Sequence, residues 1–519
     1  MKGKFLALVL SGVLVMGLLV VPALAGEKVL NVGQGAEPVT LDPQNATDNP
    51  SYEVCRHIYD GLVEFDKKLN IHPKLAKRWT VSKDGKVWTF YLRKGIKFHS
   101  GAEFDATAVK KNFDRLLTGK YRRSSLYTPF IKEVKVVNKY TVQFILKVPF
   151  GAFLHILAHG AGLILDPTLI DKHADIKHHP SGTGPFKFKE WVPGDHITLV
   201  ANKDYWGGRP KIDKIVFRTI PEDTSRTMML ETGELDVAER VSPFDVARLQ
   251  KNKNIKLDIA PSLRVIYILI NNYRIKDVRV RRALNYAVDK EAICKSILKG
   301  FAKPNASPLA PLTWGYAKVK GYPYNPKKAK ELLAEAGWKD TNGDGILDKN
   351  GKKFVLKFFS PHGRYLMDYK VAEAVQGYLK AVGIDAKLST ADWATYLASL
   401  RKPPEKAKYD LALLGWAPST GDADWVLRPL FLSTMWAPKG GNRAFYANKE
   451  ADKYILEGMT TVDPKKRKEA YRKAQEIIVR DAPWIFLHVQ KTIIGYRKNV
   501  HNVIELPLEI LLVKYAWKD

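Results

Sequence analysis

Cysteine, acidic residues and long apolar runs are all scarce in this chain. Only 2 cysteines occur in 519 residues, which excludes the disulfide-rich scaffolds of small secreted domains. After the N-terminal segment, no stretch approaches the roughly 20 apolar residues that a membrane-spanning helix needs. The 54 acidic residues are outnumbered by 84 basic ones, and the formal net charge is +30. Such an excess suits nucleic acid, anionic lipid or an anionic ligand.

The distribution of the basic residues helps to decide which of these anionic partners to expect. They are scattered along the whole chain, and no zinc-finger, RNP-type or basic-region pattern occurs, so we expect no nucleic-acid partner. The hydrophobic and charged fractions, 45% and 27%, are ordinary for globular proteins. At roughly 100–200 residues per domain, the length predicts two to four domains.

Common catalytic patterns are also missing. The sequence contains no G-x-S-x-G elbow, no phosphate-binding G-x-x-x-x-G-K-[ST] loop and no H-E-x-x-H motif. His155 and His159 would share a helix face, but two histidines without a third ligand do not predict a zinc site. His173, His178 and His179 fall in a polar segment that predicts a solvated loop. We therefore expect no catalytic residue, metal or cofactor, with a secreted hydrolase of unrecognised type as the alternative.

The N-terminus predicts export. Met1–Lys4 carries two lysines, Phe5–Val21 is almost wholly apolar, and Pro22 precedes the small-residue exit Ala23–Ala25. This order is typical of a signal peptide, residues 1–25, cleaved after Ala25 to release a periplasmic protein. No cysteine follows that position, so a lipid anchor is not expected. A retained membrane anchor is the alternative.

Two further features have a structural and a chemical interpretation. Cys55 and Cys294 would lie in an oxidising compartment, where a disulfide is feasible, but helix-like surroundings favour two buried thiols.

The stretch Asp340–Asp348 places oxygen ligands at positions 1, 3, 5 and 9 of a calcium-loop pattern, with Gly345 at position 6. Position 12 is Gly351 instead of a carboxylate, which favours a polar turn.

Strand-like and helix-like segments alternate along the chain, which predicts an α/β fold. Glu133–Leu146 contains two β-rich runs divided at Asn138-Lys139, a hairpin pattern. Asn325 and Asp463 each precede a proline and predict helix starts, the first helix ending near Gly337.

Several different short motifs occur in an order and at a spacing typical of one family. In chain order they are Pro38–Pro43, Tyr59–Val63, Pro73–Ala76, Leu92–Gly101, Gly182–Phe186, Asn202–Trp206 and Asp277–Asp289. In this set the sequence resembles the extracellular solute-binding proteins of ABC importers, in the peptide/nickel-type family 5.

The resemblance implies an architecture. It is an α/β two-lobe periplasmic-binding-protein fold of type II, with an extra subdomain on lobe I and a ligand cleft between the lobes. Lobe I would comprise residues 26–70, 184–283 and 487–519, the extra subdomain residues 71–183, and lobe II residues 284–486. Such a protein is a monomer that captures a small peptide-like solute and delivers it to ABC permease subunits in the membrane.

One loop indicates the ligand class. The run Gly415–Trp425, with Ser-Thr-Gly-acid-Ala-Asp-Trp, resembles the glutathione-binding subgroup and favours a glutathione-like tripeptide. A nickel chelate and an oligosaccharide remain the alternatives within the family.

The resemblance also implies binding residues in this loop. Ser419 stands where dipeptide binders place an aspartate for the ligand's ammonium group, so that charge is missing. Thr420 and Gly421 follow it. Asp422 and Asp424 are candidates to supply the charge, the alternative being that they cap the next helix.

Other candidates lie outside the loop. Arg364 stands near the position of a carboxylate-binding arginine in dipeptide binders, and a guanidinium grips a carboxylate through two parallel hydrogen bonds. Trp393, Trp416 and Tyr267 match positions where relatives line the pocket with aromatic rings. Each supplies apolar contact together with one N–H or O–H group, although each is also compatible with a core role.

Overall fold

The computed structural model describes residues 26–519, so the predicted signal peptide, residues 1–25, lies outside the described residues. Strands and helices alternate, and the predicted α/β class is confirmed. The strands are β1 (Val29–Gln34), β2 (Val63–Phe65), β3 (Ile71–Pro73), β4 (Ala76–Val81), β5 (Val87–Leu92), β6 (Ile131–Asn138), β7 (Thr141–Leu146), β8 (Phe186–Val192), β9 (His196–Ala201), β10 (Lys214–Thr219), β11 (Val237–Ala238), β12 (Ile255–Ile270), β13 (Ala302–Pro304), β14 (Asp348–Lys349), β15 (Lys352–Lys353), β16 (Val355–Phe359), β17 (Asp385–Ser389), β18 (Leu411–Trp416), β19 (Trp484–Arg497), β20 (Val500–His501), β21 (Ile504–Leu506), β22 (Ile510–Leu512) and β23 (Trp517–Lys518).

The α-helices connect these strands. They are α1 (Asn49–Ile58), α2 (Ala106–Leu117), α3 (Phe153–Ala158), α4 (Pro167–Asp171), α5 (Asp223–Thr232), α6 (Val246–Leu249), α7 (Val278–Ala287), α8 (Lys290–Ala292), α9 (Pro326–Glu335), α10 (Asp368–Lys380), α11 (Trp393–Leu400), α12 (Asp424–Phe431), α13 (Lys449–Thr460) and α14 (Pro464–Asp481). No helix in this part of the chain is long and apolar enough to cross a membrane.

One large mixed sheet runs through the molecule in the order β17-β16-β18-β12-β19-β11-β1-β10-β9-β8, with β13 also paired to β19. Strands β1 and β8–β11 form one end, which we call the first lobe, and β16–β18 form the other, the second lobe. The long strands β12 and β19 pair antiparallel and belong to both. Their register shifts between Pro261 and Val265, where the sheet passes from one lobe to the other.

A separate four-stranded sheet, in the order β4-β5-β7-β6, packs against α2. The predicted hairpin is confirmed, because β6 ends at Asn138 and β7 begins at Thr141. Aromatic rings fill the interior, and those of Phe113 and Phe144 meet edge-on with centroids 4.8 Å apart. This sheet lies within residues 71–183, and those segment boundaries stay a prediction.

Both predicted helix starts are confirmed. The side chain of Asn325 accepts a hydrogen bond from the backbone N–H of Lys328, and that of Asp463 accepts one from Lys466. Gly337, after the first of these helices, has a φ of +88°, a conformation that glycine adopts without strain.

The small sheet also contacts the second lobe. The N–H of Gly151 donates to the carbonyl of Met459 at 2.8 Å. A methyl group on Gly151 would lie 2.2 Å from the Thr461 carbonyl oxygen, so only glycine permits this approach. The contact holds the second lobe against the loop that follows the small sheet.

The predictions for cysteine and for the histidine-rich loop are confirmed. Cys55 and Cys294 are both buried free thiols. His173, His178 and His179 are exposed.

The calcium-like segment forms a turn that uses its own carboxylates. Asp340 accepts the backbone N–H groups of Gly343 at 2.8 Å and Gly345 at 3.0 Å. Asp348 accepts the Thr341 hydroxyl at 2.7 Å, and Asp344 pairs with Lys353. Within residues 26–519, no group of three or more His, Cys, Asp or Glu side chains is arranged to hold a metal ion.

Adding a calcium chelator is therefore expected to leave the melting temperature unchanged, because backbone N–H groups and Lys353 already satisfy these carboxylates. Differential scanning fluorimetry with chelator, and with added calcium, measures this. A calcium-dependent rise in melting temperature that Asp344→Ala abolishes would contradict the turn interpretation, because a bound ion stabilises the folded state.

Candidate functional site

A cavity of about 570 Å³ lies between the two lobes. We call it the first chamber; it is lined by Tyr52 and Arg56 of α1, by Arg123 and His159, and by second-lobe residues that include Trp393 and Trp416. An adjoining second chamber of about 500 Å³ is lined by Glu239, Glu505 and Glu509 among others. Arg240, Arg264, Arg364 and Tyr365 line both chambers, which are therefore adjacent, and we call the two together the cleft.

Arginine dominates the charge of the first chamber. Six arginines line it: Arg56, Arg123, Arg240, Arg264, Arg364 and Arg443. In the described part of the chain, Arg264 alone among these six forms a salt bridge, to Glu509, with its Nη2 2.6 Å from Oε2. The other five guanidinium groups have no carboxylate partner among residues 26–519, so the first chamber favours an anionic ligand.

Two of these arginines are fixed by backbone contacts. Arg56 Nη2 donates to the carbonyl of Ala158 at 3.1 Å, and its buried Nε has no hydrogen-bond partner within the described residues. Arg123 Nε donates to the carbonyl of Ala46 at 2.8 Å and to the Tyr52 hydroxyl at 3.0 Å. Burial lowers the pKa of Arg56. A buried cation without an anion is costly, and a bound carboxylate would offset that cost.

His159 supplies a neutral hydrogen-bond donor. It is 2% exposed, and its Nδ1 accepts the backbone N–H of Ala161 at 3.0 Å. Nε2 therefore carries the proton, and it has no partner among residues 26–519. Burial, together with Arg123 and Arg56, holds the pKa of His159 well below its usual value. A neutral N–H donor at this wall can add a hydrogen bond to an anion held by the arginines.

Arg240 occupies a strained backbone position. Its φ is +49°, in the left-handed region that residues other than glycine rarely adopt, and such a position costs about 1–3 kcal/mol. The buried guanidinium of Arg226 holds the strand end by donating to the carbonyls of Glu239 at 3.1 Å and Arg240 at 3.2 Å. The Arg240 side chain can therefore face both chambers.

Four of the predicted site residues line the first chamber: Arg364, Trp393, Trp416 and Ser419. Trp393 begins α11, and its ring centroid lies 5.0 Å from the Arg364 guanidinium carbon. Trp416 ends β18 and donates its indole N–H to the carbonyl of Trp425 at 3.0 Å.

The other predicted residues do not line either chamber. Tyr267 is 2% exposed and stacks on Trp484, with ring centroids 3.5 Å apart. The N–H of Gly421 donates to the carbonyl of Pro418, and the Thr420 hydroxyl faces the N–H of Asp422 at 3.4 Å. In this conformation Thr420 and Gly421 stabilise the loop through these hydrogen bonds.

The carboxylates of Asp422 and Asp424 are already paired. Arg467 grips Asp422 with two hydrogen bonds of 2.8 and 2.6 Å, and His155 Nδ1 lies 3.3 Å away. Burial raises the pKa of Asp422, but Arg467 and His155 more than offset this, and the net pKa is lowered. Asp424 pairs with Arg428 at 2.8 Å. These two ion pairs stabilise the loop on its buried side.

Sequence reasoning missed most of the charged lining. The residues missed are Arg56, Arg123, Arg240, Arg264, Arg443, Glu505 and, as a ligand donor, His159. They are far apart in sequence and share no motif, so only the folded chain brings them together. His159 was noticed for its spacing from His155, but its role depends on the arginines beside it.

Comparison with known proteins gives consistent matches over the chain. The model of the bacterial extracellular solute-binding proteins, family 5 (middle), matches residues 70–438. A protein named glutathione-binding protein GsiB, from Salmonella choleraesuis (strain SC-B67), is 37% identical over 494 residues, or 94% of this chain and 93% of the relative.

Two solved structures are similar over almost their whole length. The oligopeptide-binding protein AppA from Bacillus subtilis, in complex with a nonapeptide, has a TM-score of 0.77 and 31% identity, covering 95% of this chain and 99% of that one. The periplasmic binding protein DppA from Helicobacter pylori, in complex with the peptide STSA, has a TM-score of 0.76 and 30% identity, covering 94% and 98%.

Replacing Asp422 by Asn is expected to lower the free energy of unfolding by about 3–5 kcal/mol, because Arg467 would be left as a buried unpaired charge. Chemical denaturation measures this. Glu469→Gln is the matched control: it breaks the half-exposed pair with Arg472, which should cost less than about 1 kcal/mol. Equal effects of the two changes would contradict the bracing role of Asp422.

Proposed function

This chain belongs to the bacterial extracellular solute-binding proteins, family 5, and we propose that its ligand is glutathione or a closely similar tripeptide. The family and the two-lobed periplasmic-binding-protein fold predicted from the sequence are confirmed. The protein is the substrate-binding receptor of an ABC importer for a peptide-like solute.

The observation that carries the proposal is the charge of the first chamber. Five of its six lining arginines lack a carboxylate partner among the described residues. Glutathione at neutral pH has two carboxylates and one ammonium group, so it brings more negative than positive charge. Arginine pairs with carboxylates through charge-assisted hydrogen bonds, which are about twice as strong as neutral ones. A volume of about 570 Å³ in the first chamber also suits a small peptide.

Ser419 supports the same choice. It lines the first chamber at the position where the family resemblance leads us to expect an aspartate for a ligand ammonium. A dipeptide placed in that manner would bring its cationic end to a hydroxyl group beside arginines. A carboxylate there would instead be attracted by them. The chamber therefore disfavours ordinary dipeptides.

The alternatives fit the lining less well. An oligosaccharide has no charge to pair with the arginines, which would remain desolvated at a cost. A nickel chelate rich in carboxylates matches the charge, and it is the second candidate for that reason. We further infer that the protein leaves its ligand chemically unchanged, because its relatives are named for binding.

The remaining parts of the proposal concern the mature protein. The signal peptide, residues 1–25, is cleaved after Ala25, and the protein acts in the periplasm without a lipid anchor. It works as a monomer with the permease subunits as partners and does not bind nucleic acid.

Isothermal titration calorimetry is expected to show tighter binding of glutathione than of Ala-Ala or Gly-Gly. Arg364→Ala should weaken glutathione binding at least tenfold, because it removes a charged hydrogen-bonding group worth roughly 1.5–3 kcal/mol. The melting temperature of the empty protein should not fall, since Arg364 is exposed and forms no salt bridge with the described residues.

Arg401→Ala is the matched control. It removes an exposed arginine of the second lobe that lines neither chamber, and glutathione affinity should stay within about twofold. A wild-type preference for simple dipeptides, together with no effect of Arg364→Ala, would contradict both the ligand and the role of Arg364.

A further inference from the structure

Glu505 presents a carboxylate to the second chamber. It lies at the centre of β21, where its backbone pairs with Leu511 of β22, and its side chain lines the chamber. Among residues 26–519, no group lies within hydrogen-bond distance of this carboxylate, and no Lys, Arg or His forms a salt bridge with it. A backbone paired on a strand gives the side chain a defined direction.

Three other acidic groups of this chamber already accept hydrogen bonds within the described residues. Glu239 accepts the backbone N–H of Gly35 at 2.6 Å. Glu509 accepts two hydrogen bonds from Arg264, at 3.1 and 2.6 Å. Asp223, at the rim, accepts the N–H of Thr224 at 2.8 Å. Glu222 also lines the chamber without a side-chain partner among residues 26–519, but it is exposed, whereas Glu505 is half-buried. Glu505 is therefore the less exposed of the two carboxylates left for a ligand.

Some basic groups of the chamber are also already hydrogen-bonded within the protein. Arg226 donates to backbone carbonyls, and Lys491 donates to the carbonyl of Gly300 at 2.9 Å. Arg240 and Arg364 line the chamber without a salt bridge to any described residue. The second chamber thus offers a half-buried acceptor of a cation, Glu505, together with two donors for an anion.

The surroundings of Glu505 also favour a bound cation. Burial, then Glu239 and Glu509, raises the pKa of Glu505 well above its usual value; Asp258 adds to this and Arg240 opposes it. A ligand ammonium would supply the positive charge that these groups lack.

We propose that Glu505 binds the α-ammonium of the ligand while Arg240 and Arg364 bind the α-carboxylate on the same carbon atom. The second chamber then receives a free α-amino-acid head, and the proposal rests on the function proposed above. The first chamber offers Arg56, Arg123 and Arg443 to a second carboxylate at the far end of the ligand.

This arrangement specifies how the ligand is linked. A peptide joined through its γ-carboxyl group keeps the ammonium and the α-carboxylate on one carbon, as in glutathione. An ordinary peptide uses that carboxyl group in its first amide bond and cannot present both charges together. Glu505 is thus a specificity-determining residue for γ-glutamyl ligands.

The test compares two ligands on two proteins. Glutathione is matched with glutaryl-Cys-Gly, which has the same skeleton without the ammonium group. In calorimetry, Glu505→Gln should weaken glutathione binding at least tenfold and change glutaryl-Cys-Gly binding by less than twofold. The substitution keeps the size of the side chain, and the melting temperature of the empty protein should not fall.

Asp258→Asn is the control for charge alone. Asp258 acts electrostatically on Glu505 but lines neither chamber, so its replacement should change both affinities by less than twofold. Equal weakening of both ligands by Glu505→Gln, or no weakening of either, would overturn the role of Glu505. A wild-type protein that binds neither ligand would instead overturn the proposed function, and with it this inference.

Discussion

The pairing of β12 with β19 is the constraint on which the rest of the molecule depends. Both strands belong to both lobes, and they pair from Ile255 to Leu269 with register shifts between Pro261 and Val265 and between Ile266 and Tyr267. Because the lobes share one sheet, the cleft must open beside this crossing. Arg264 lies within the register shift and pairs with Glu509. The crossing therefore also holds in place one charged pair between the two chambers.

Charged groups in this protein fall into two kinds. Behind the cleft they are paired: Arg467 binds Asp422 under the ring of Trp314, whose centroid is 4.2 Å from the guanidinium carbon. In the cleft, Arg56 and Arg443 each have a buried Nε without a partner in the described residues. Pairing offsets much of the desolvation cost of a buried ion, whereas an unpaired buried ion bears that cost in full. The unpaired arginines lie where a ligand can supply the missing anion.

The sequence predicted the parts of this molecule that depend on local order. Helix caps at Asn325 and Asp463, the hairpin at Asn138 and the family motifs all act through neighbouring residues. The cleft was predicted less fully. Asp422 stands near Ser419 in the sequence, but its partner Arg467 is 45 residues away, and that contact holds the carboxylate in the core instead of the cleft. Long-range pairing of this kind has no local pattern.

The unpaired arginines also connect ligand charge with the arrangement of the lobes. Arg56 belongs to the first lobe through α1, whereas Arg364 and Arg443 belong to the second. Without a ligand, these like charges repel one another across the cleft, and the repulsion increases as the lobes approach. A ligand with a carboxylate at each end offsets the repulsion, and it does so only when both lobes are near it. A neutral ligand of the same size leaves the repulsion in place. With the proposed ligand, which has two carboxylates, the charge of the first chamber therefore favours approach of the lobes, and that approach would itself be selective.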